Sequence, residues 1–196
     1  GLDGKGLVFL YAVPWPAQGL YSKKAINSVS DLKGLKFRAY NSATIRIAEL
    51  TGMAPTKIEA AEISQAFSTG AVESMITSPT TGKNSKIWEN GVGYFYDIAA
   101  WFPKNMVIVN KDAWNKLDSA TKKLVMSEAA VAEKKGWELS KKGNVADKKA
   151  LSDAGMKVGK VNSALEKHFQ KVGATMADEW KAKAGSRGAS VLAAYK

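Results

Sequence analysis

Asp31–Thr81 reads DLKGLKFRAY NSATIRIAEL TGMAPTKIEA AEISQAFSTG AVESMITSPT T, and its alternation of strand and helix patterns decides the fold. Asp31-Leu32-Lys33-Gly34 is a helical turn stopped by glycine, and Leu35–Tyr40 is a strand. Asn41 or Ser42 can cap a helix that carries Ile45, Ala48 and Glu49 and ends at Thr51-Gly52. Pro55–Ile58 suits a second strand. Ile63, Ala66, Phe67 and Gly70 fall at i, i+3, i+4 and i+7, the period of an amphipathic helix. Val72–Thr77 is a strand again, and Ser78-Pro79 turns the chain into Thr80-Thr81-Gly82. This βαβαβ succession argues for parallel pairing with right-handed crossovers, hence an α/β fold. Ligands of such sheets collect beyond the carboxyl ends of the strands. Two such ends, Arg38–Asn41 and Thr77–Thr81, come from this one stretch.

Outward from it, Leu7–Val13 (LVFLYAV) is an apolar, β-favouring run closed by Pro14 and Pro16, the pattern of a buried strand entering a bend. Gly19–Ser22, Gly93–Ile98 (GYFYDI) and Met106–Asn110 (MVIVN) are further strands, and Met156–Val158 is a short one. A helical stretch runs from Asp118 or Ser119 to about Leu151, roughly 50 Å if continuous. Gly136 and Gly143 are its weak points, at about 1 kcal/mol each against alanine. A helix of that length braces two bodies. A second amphipathic helix covers about Ser163–Lys183.

Composition narrows the function. The 196 residues carry a net charge of +11, no cysteine and a single histidine, His168. Thiolate nucleophiles, thiolate metal sites and disulfides are therefore absent, and histidine triads or metal clusters are poorly supplied. No GxGxxG, Walker or GxSxG pattern occurs. No enzyme, cofactor or metal is expected. Of the 29 basic residues 26 are lysines, and only Arg38, Arg46 and Arg187 are arginines. Specific phosphate and base readout leans on arginine's rigid fork, so the excess reads as a solvated lysine surface. A basic module for nucleic acid or an anionic surface is the alternative of a different class.

The motifs themselves resemble one family. Asp31–Arg38 (DLKGLKFR) resembles the signature of the solute-binding subunits of TRAP transporters, the DctP-type periplasmic receptors. Gly52–Lys57, Ala61–Glu73 and Lys104–Trp114 resemble, in order, that family's next strand, its S-E-x-Y-x-A-L-x-T-G-x-V-D helix, and its returning strand with the following helix. The resemblance implies a bilobal, periplasmic-binding-protein-like α/β fold, here a fragment with a mixed or parallel sheet, hinge crossings and a long bracing helix. It divides the chain into 1–13 (end of lobe one and first hinge strand), 14–100 (lobe two), 101–143 (return to lobe one and long helix) and 144–196 (C-terminal part of lobe two). It implies a receptor that closes on a small organic anion and delivers it to TRAP membrane subunits in the periplasm, with a signal peptide and most of lobe one upstream of Gly1. A receptor that feeds a sensor is the variant on the same fold.

Among single residues, Arg38 stands where the family clamps a carboxylate, and a planar guanidinium offers two parallel donors for one. The structural alternative is an ion pair with Asp31. Asn41 can cap the following helix, contact ligand, or both, and Tyr40 reads as core packing. Thr77 and Ser78 stand where many relatives carry an asparagine before proline in a D-G-Q-E-N-P pattern; here the stretch is ESMITSP. Trp15 and Gln18 follow the first hinge and Trp101 lies at the second. These aromatics favour a ligand with an aromatic or apolar body over a small polar dicarboxylate.

Overall fold

Phe37 and Ala39 project to one side of a short strand and Arg38 to the other, and the sheet is built from such sorting. The computed structural model describes residues 2–194. Its strands and helices are β1 (Leu7–Pro14), β2 (Gly19–Ser22), β3 (Lys36–Ala39), α1 (Ser42–Thr51), β4 (Ala54–Lys57), α2 (Ile63–Ser68), β5 (Ser74–Thr77), α3 (Pro79–Asn84), β6 (Tyr94–Tyr96), β7 (Lys104–Asn110), α4 (Lys111–Asn115), α5 (Ser119–Asp153), β8 (Lys157–Gly159) and α6 (Ser163–Ala194), the last interrupted at Gly185.

Six strands form one mixed sheet in the order β4-β3-β5-β2-β6-β8. β3 pairs in parallel with both β4 and β5, as the βαβαβ reading requires. β2 runs antiparallel between β5 and β6, and β8 adds in parallel to β6. The two faces carry separate cores. Leu20, Phe37, Ala39 and Ile76 pack with Ile47 and Ala48 of α1 and Leu165 and Val172 of α6. Tyr21, Met75 and Phe95 pack with Ile63 and Phe67 of α2 and Leu151 of α5.

β1 and β7 form a separate antiparallel ribbon, with a register shift between Phe9 and Tyr11. Here the expectation of a buried β1 fails. Only Ala12 is buried in it, while Phe9 of β1 and Met106 and Ile108 of β7 are exposed. An apolar run reports the composition of a strand, not how many layers cover it. α5 packs on the ribbon: Glu133 accepts the Ala12 N–H at 3.1 Å, and the Trp137 indole donates to the Ala12 carbonyl at 3.1 Å. α5 is unbroken through Gly136 and Gly143. Gly136 is required by contact, since a Cβ there would lie 2.4 Å from the Val13 side chain. The turn expected after Thr77 is the short helix α3, capped by Ser78.

The turn that feeds β3 is held by Asp31. Its carboxylate accepts the backbone N–H groups of Asn27 and Ser28 at 2.8 and 2.9 Å, and those bonds hold its pKa below the usual 3.8. A depressed folded-state pKa stabilises the fold above the unfolded value and ceases to do so as pH falls through the folded one. Asp31→Ala should therefore lower the thermal midpoint at neutral pH, and the gap from the native protein should close only as pH drops below 3.8. A gap that is constant down to about pH 2 would contradict the charge-assisted capping.

Candidate functional site

β3 carries Arg38 between its two core-facing neighbours, and the side chain is only 4% exposed. Its Nε donates to the Ile58 carbonyl at 2.9 Å, and its guanidinium carbon stands 4.7 Å from the centre of the Tyr40 ring. Among the described residues no carboxylate lies within 4.0 Å of its nitrogens. The Asp31 pair is thus ruled out, because that carboxylate is spent on its own turn. Burial draws the Arg38 guanidinium below its ordinary pKa, opposed by Tyr40 and, to a lesser degree, Glu59.

Arg46, eight residues on, shows the contrary state. Its guanidinium grips Glu179 through Nε and Nη2 and Glu49 through Nη1, at 2.6–3.2 Å, and its pKa is raised, chiefly by the bond to Glu179. One arginine is satisfied by protein acids at the surface. The other is buried, and among the described residues no protein group accepts from its terminal nitrogens.

Tyr40 is the residue that sequence reasoning missed. The sequence reading puts it in the core, yet one residue past the end of β3 it continues the strand's alternation on the Arg38 side, which sets its ring against Arg38. Burial raises the Tyr40 hydroxyl pKa, and the Trp101 side chain beside it opposes the rise. Arg38, Tyr40 and Trp101 thus form one chain of contacts. Asn41, next along, caps α1: its Oδ1 accepts the Thr44 N–H at 2.9 Å, while Thr44 Oγ1 accepts the N–H groups of Tyr40 and Asn41. Among the described residues its side-chain N–H₂ has no partner. Asn41 and Trp101 line a cavity of about 710 Å³, with Ile47 of α1, the 97–101 loop and Phe169 and Met176 of α6.

The remaining expected residues make no hydrogen bond to Arg38. Thr77 is buried at the end of β5, and its hydroxyl has no hydrogen-bond partner among the described residues. The Ser78 side chain is engaged by Thr81 at the start of α3. Gln18 is buried, with its amide donating to the Pro16 carbonyl at 2.8 Å and its backbone paired to Ala100 and Trp101. Trp15 donates its indole N–H to Asn105 and lines a different, smaller cavity of about 380 Å³ with Phe102 and with Trp137 and Asn144 of α5. Trp15 and Trp101 therefore do not face one another across a single cavity. Among the described residues no group of three or more His, Asp or Glu is placed to hold a metal ion. No helix among them is long and apolar enough to cross a membrane.

Residues 5–183 match the model of a protein family described as DctP, bacterial extracellular solute-binding protein, family 7. The chain superposes with a TM-score of 0.96 and 41% identity on DctP6, a Bordetella pertussis extracytoplasmic solute receptor binding pyroglutamic acid, covering 99% of this chain and 64% of that one. A marine metagenome TRAP solute-binding protein specific for pyroglutamate gives a TM-score of 0.95 at 38% identity with the same coverage. A solute-binding protein from Albidiferax ferrireducens is 27% identical over 183 residues, which are 92% of this chain and 53% of that protein. The chain thus spans between half and two thirds of the length of these relatives.

An unpaired buried guanidinium contributes little to the empty protein, because desolvation is not offset by a counter-charge. Arg38→Met should leave the unliganded thermal midpoint unchanged or raise it, whereas Arg46→Ala should lower it in a manner weakened by salt. A marked fall for Arg38→Met would mean that Arg38 holds the fold.

Proposed function

This chain belongs to the DctP family, the bacterial extracellular solute-binding proteins of family 7, and from that premise we propose that it forms the carboxylate-clamping part of an extracytoplasmic receptor for a small monocarboxylate of the pyroglutamate class. The observation that carries the proposal is Arg38, 4% exposed and without an acidic partner among the described residues. A buried cation without a counter-ion is a site whose missing partner is an anion. The Nη1 and Nη2 donors fit a carboxylate bidentately, and the ring of Tyr40 holds the guanidinium plane. One such arginine suits one carboxylate. The free donors of Asn41 and Thr77 supply neutral hydrogen bonds of the kind a lactam carbonyl accepts.

Three further points support the reading. The two relatives at 38–41% identity whose fold this chain shares over its whole length bind pyroglutamate. The split of Trp15 from Trp101 removes the flat aromatic box that would favour a large aromatic acid. The ribbon crossings and α5 supply the connections about which a two-lobed receptor closes on its ligand. The closed receptor would then hand the acid to TRAP-type membrane subunits outside the cytoplasm. No catalytic step is assigned: Arg38 binds and orients, and closure excludes water.

The full-length receptor, titrated calorimetrically with pyroglutamate, should bind one equivalent. Arg38→Ala should weaken binding by at least about 2 kcal/mol, the range for removing one member of a buried charge pair. Undiminished affinity in that variant would remove Arg38 from the site. Binding of aromatic acids in preference would overturn the ligand class, and a response to polyanions alone would favour the basic-surface reading.

A further inference from the structure

The Thr77–Ser78 strand end leads straight into α3, and α3 is fastened to α5 by a single buried carboxylate. Asp147 is 5% exposed. Its Oδ2 accepts the Thr80 hydroxyl at 2.6 Å and its Oδ1 accepts the Lys83 ammonium at 2.8 Å. Thr80 and Lys83 lie three residues apart on one face of α3, so a two-oxygen acceptor fixes both the distance and the rotation of that short helix. From the other side the Tyr21 hydroxyl, fully buried, donates to the Ser78 carbonyl at 3.0 Å. Gly82 leaves room for that phenol, since a Cβ there would lie 2.2 Å from its oxygen.

The same α5 grips the hinge strand β1 through Glu133 and Trp137 at Ala12. Glu133 and Asp147 are 14 residues apart on a continuous helix, about 20 Å at 1.5 Å per residue. One rod therefore references the end of β5 to the ribbon. Apolar side chains of the same shape would serve packing as well as this ion pair does. What the carboxylate adds is direction.

We infer that Asp147 is a positioning residue for ligand capture: through Thr80 and Lys83 it sets the place of the Thr77–Ser78 strand end relative to hinge strand β1. The inference rests on the receptor reading above for its consequence, but its structural half stands without ligand. Asp147→Asn keeps the shape and removes the charge that Lys83 pairs with. Thr80→Val removes one hydrogen bond at a half-buried position and serves should the first variant not fold.

Two readouts on the full-length receptor test it. In backbone hydrogen exchange without ligand, the Gly82 and Ser85 amides, which bond the Ser78 and Thr81 carbonyls, should exchange about 10-fold faster in the variants, with α1 unchanged. In stopped-flow with pyroglutamate, dissociation should accelerate about 10-fold with little change in association, the usual partition when a site loses definition rather than charge steering. Unchanged exchange at Gly82 and Ser85 overturns the placement. Faster exchange with unaltered dissociation overturns the role in capture and leaves Asp147 a structural residue. If the native receptor fails to bind pyroglutamate, the pyroglutamate reading of the site falls, and the exchange result alone decides whether Asp147 sets the strand end.

Discussion

A guanidinium is among the costliest groups to bury, and the structure is arranged so that Arg38 is buried all the same. The sheet places it there: β3 lies between β4 and β5, and the alternation that sends Phe37 and Ala39 into one core turns Arg38 to the other side. The Ile58 carbonyl takes one donor and the Tyr40 ring covers one face, which holds the side chain without neutralising it. A protein acid at this position would fill the site permanently. The acids near the β3–α1 unit are engaged otherwise, Asp31 with backbone N–H groups, Glu49 and Glu179 with Arg46, and Glu59 with Lys57. Their engagement elsewhere leaves the Arg38 guanidinium free for the proposed ligand.

The site also depends on how its neighbours are held. Asn41 and Thr44 close the start of α1 through reciprocal hydrogen bonds, so the chain leaves β3 in one direction. Gln18 pairs its backbone with Ala100 and Trp101, which ties the two crossings between ribbon and sheet and brings Trp101 beside Tyr40. α5 holds both the ribbon and α3, and the absence of a side chain at Gly136 is what lets it seat on Val13. Charge on the outer surface plays a lesser part. Two lysines of α5 are paired with acids, Lys148 with Asp97 and Lys149 with Asp153.

Much of this was legible in the sequence. The βαβαβ core, its parallel pairing and the long helix follow from period and capping, because those signals are local. The Asp31–Arg38 motif located the strand end, and among the described residues its arginine has no acidic partner. What could not be read was non-local. The exposure of β1 and β7 depends on which layers cover the ribbon, not on their apolar composition. The separation of Trp15 from Trp101 depends on how the two crossings pair, which no spacing reveals. Asp147 is, by sequence, one acid in a lysine-rich helix, and its partners Thr80 and Lys83 lie more than sixty residues earlier. Tyr40 is different: the period of two already placed it beside Arg38, and the signal was there to be used.

The central claim is that Arg38 is kept without a protein counter-ion so that a ligand carboxylate can supply one. A crystal structure of the full-length receptor grown with pyroglutamate tests it most directly. The account predicts both carboxylate oxygens at roughly 2.7–2.9 Å from Arg38 Nη1 and Nη2, the spacing of a charge-assisted bidentate pair. A carboxylate held elsewhere, with Arg38 turned to an acid of the protein, would contradict it.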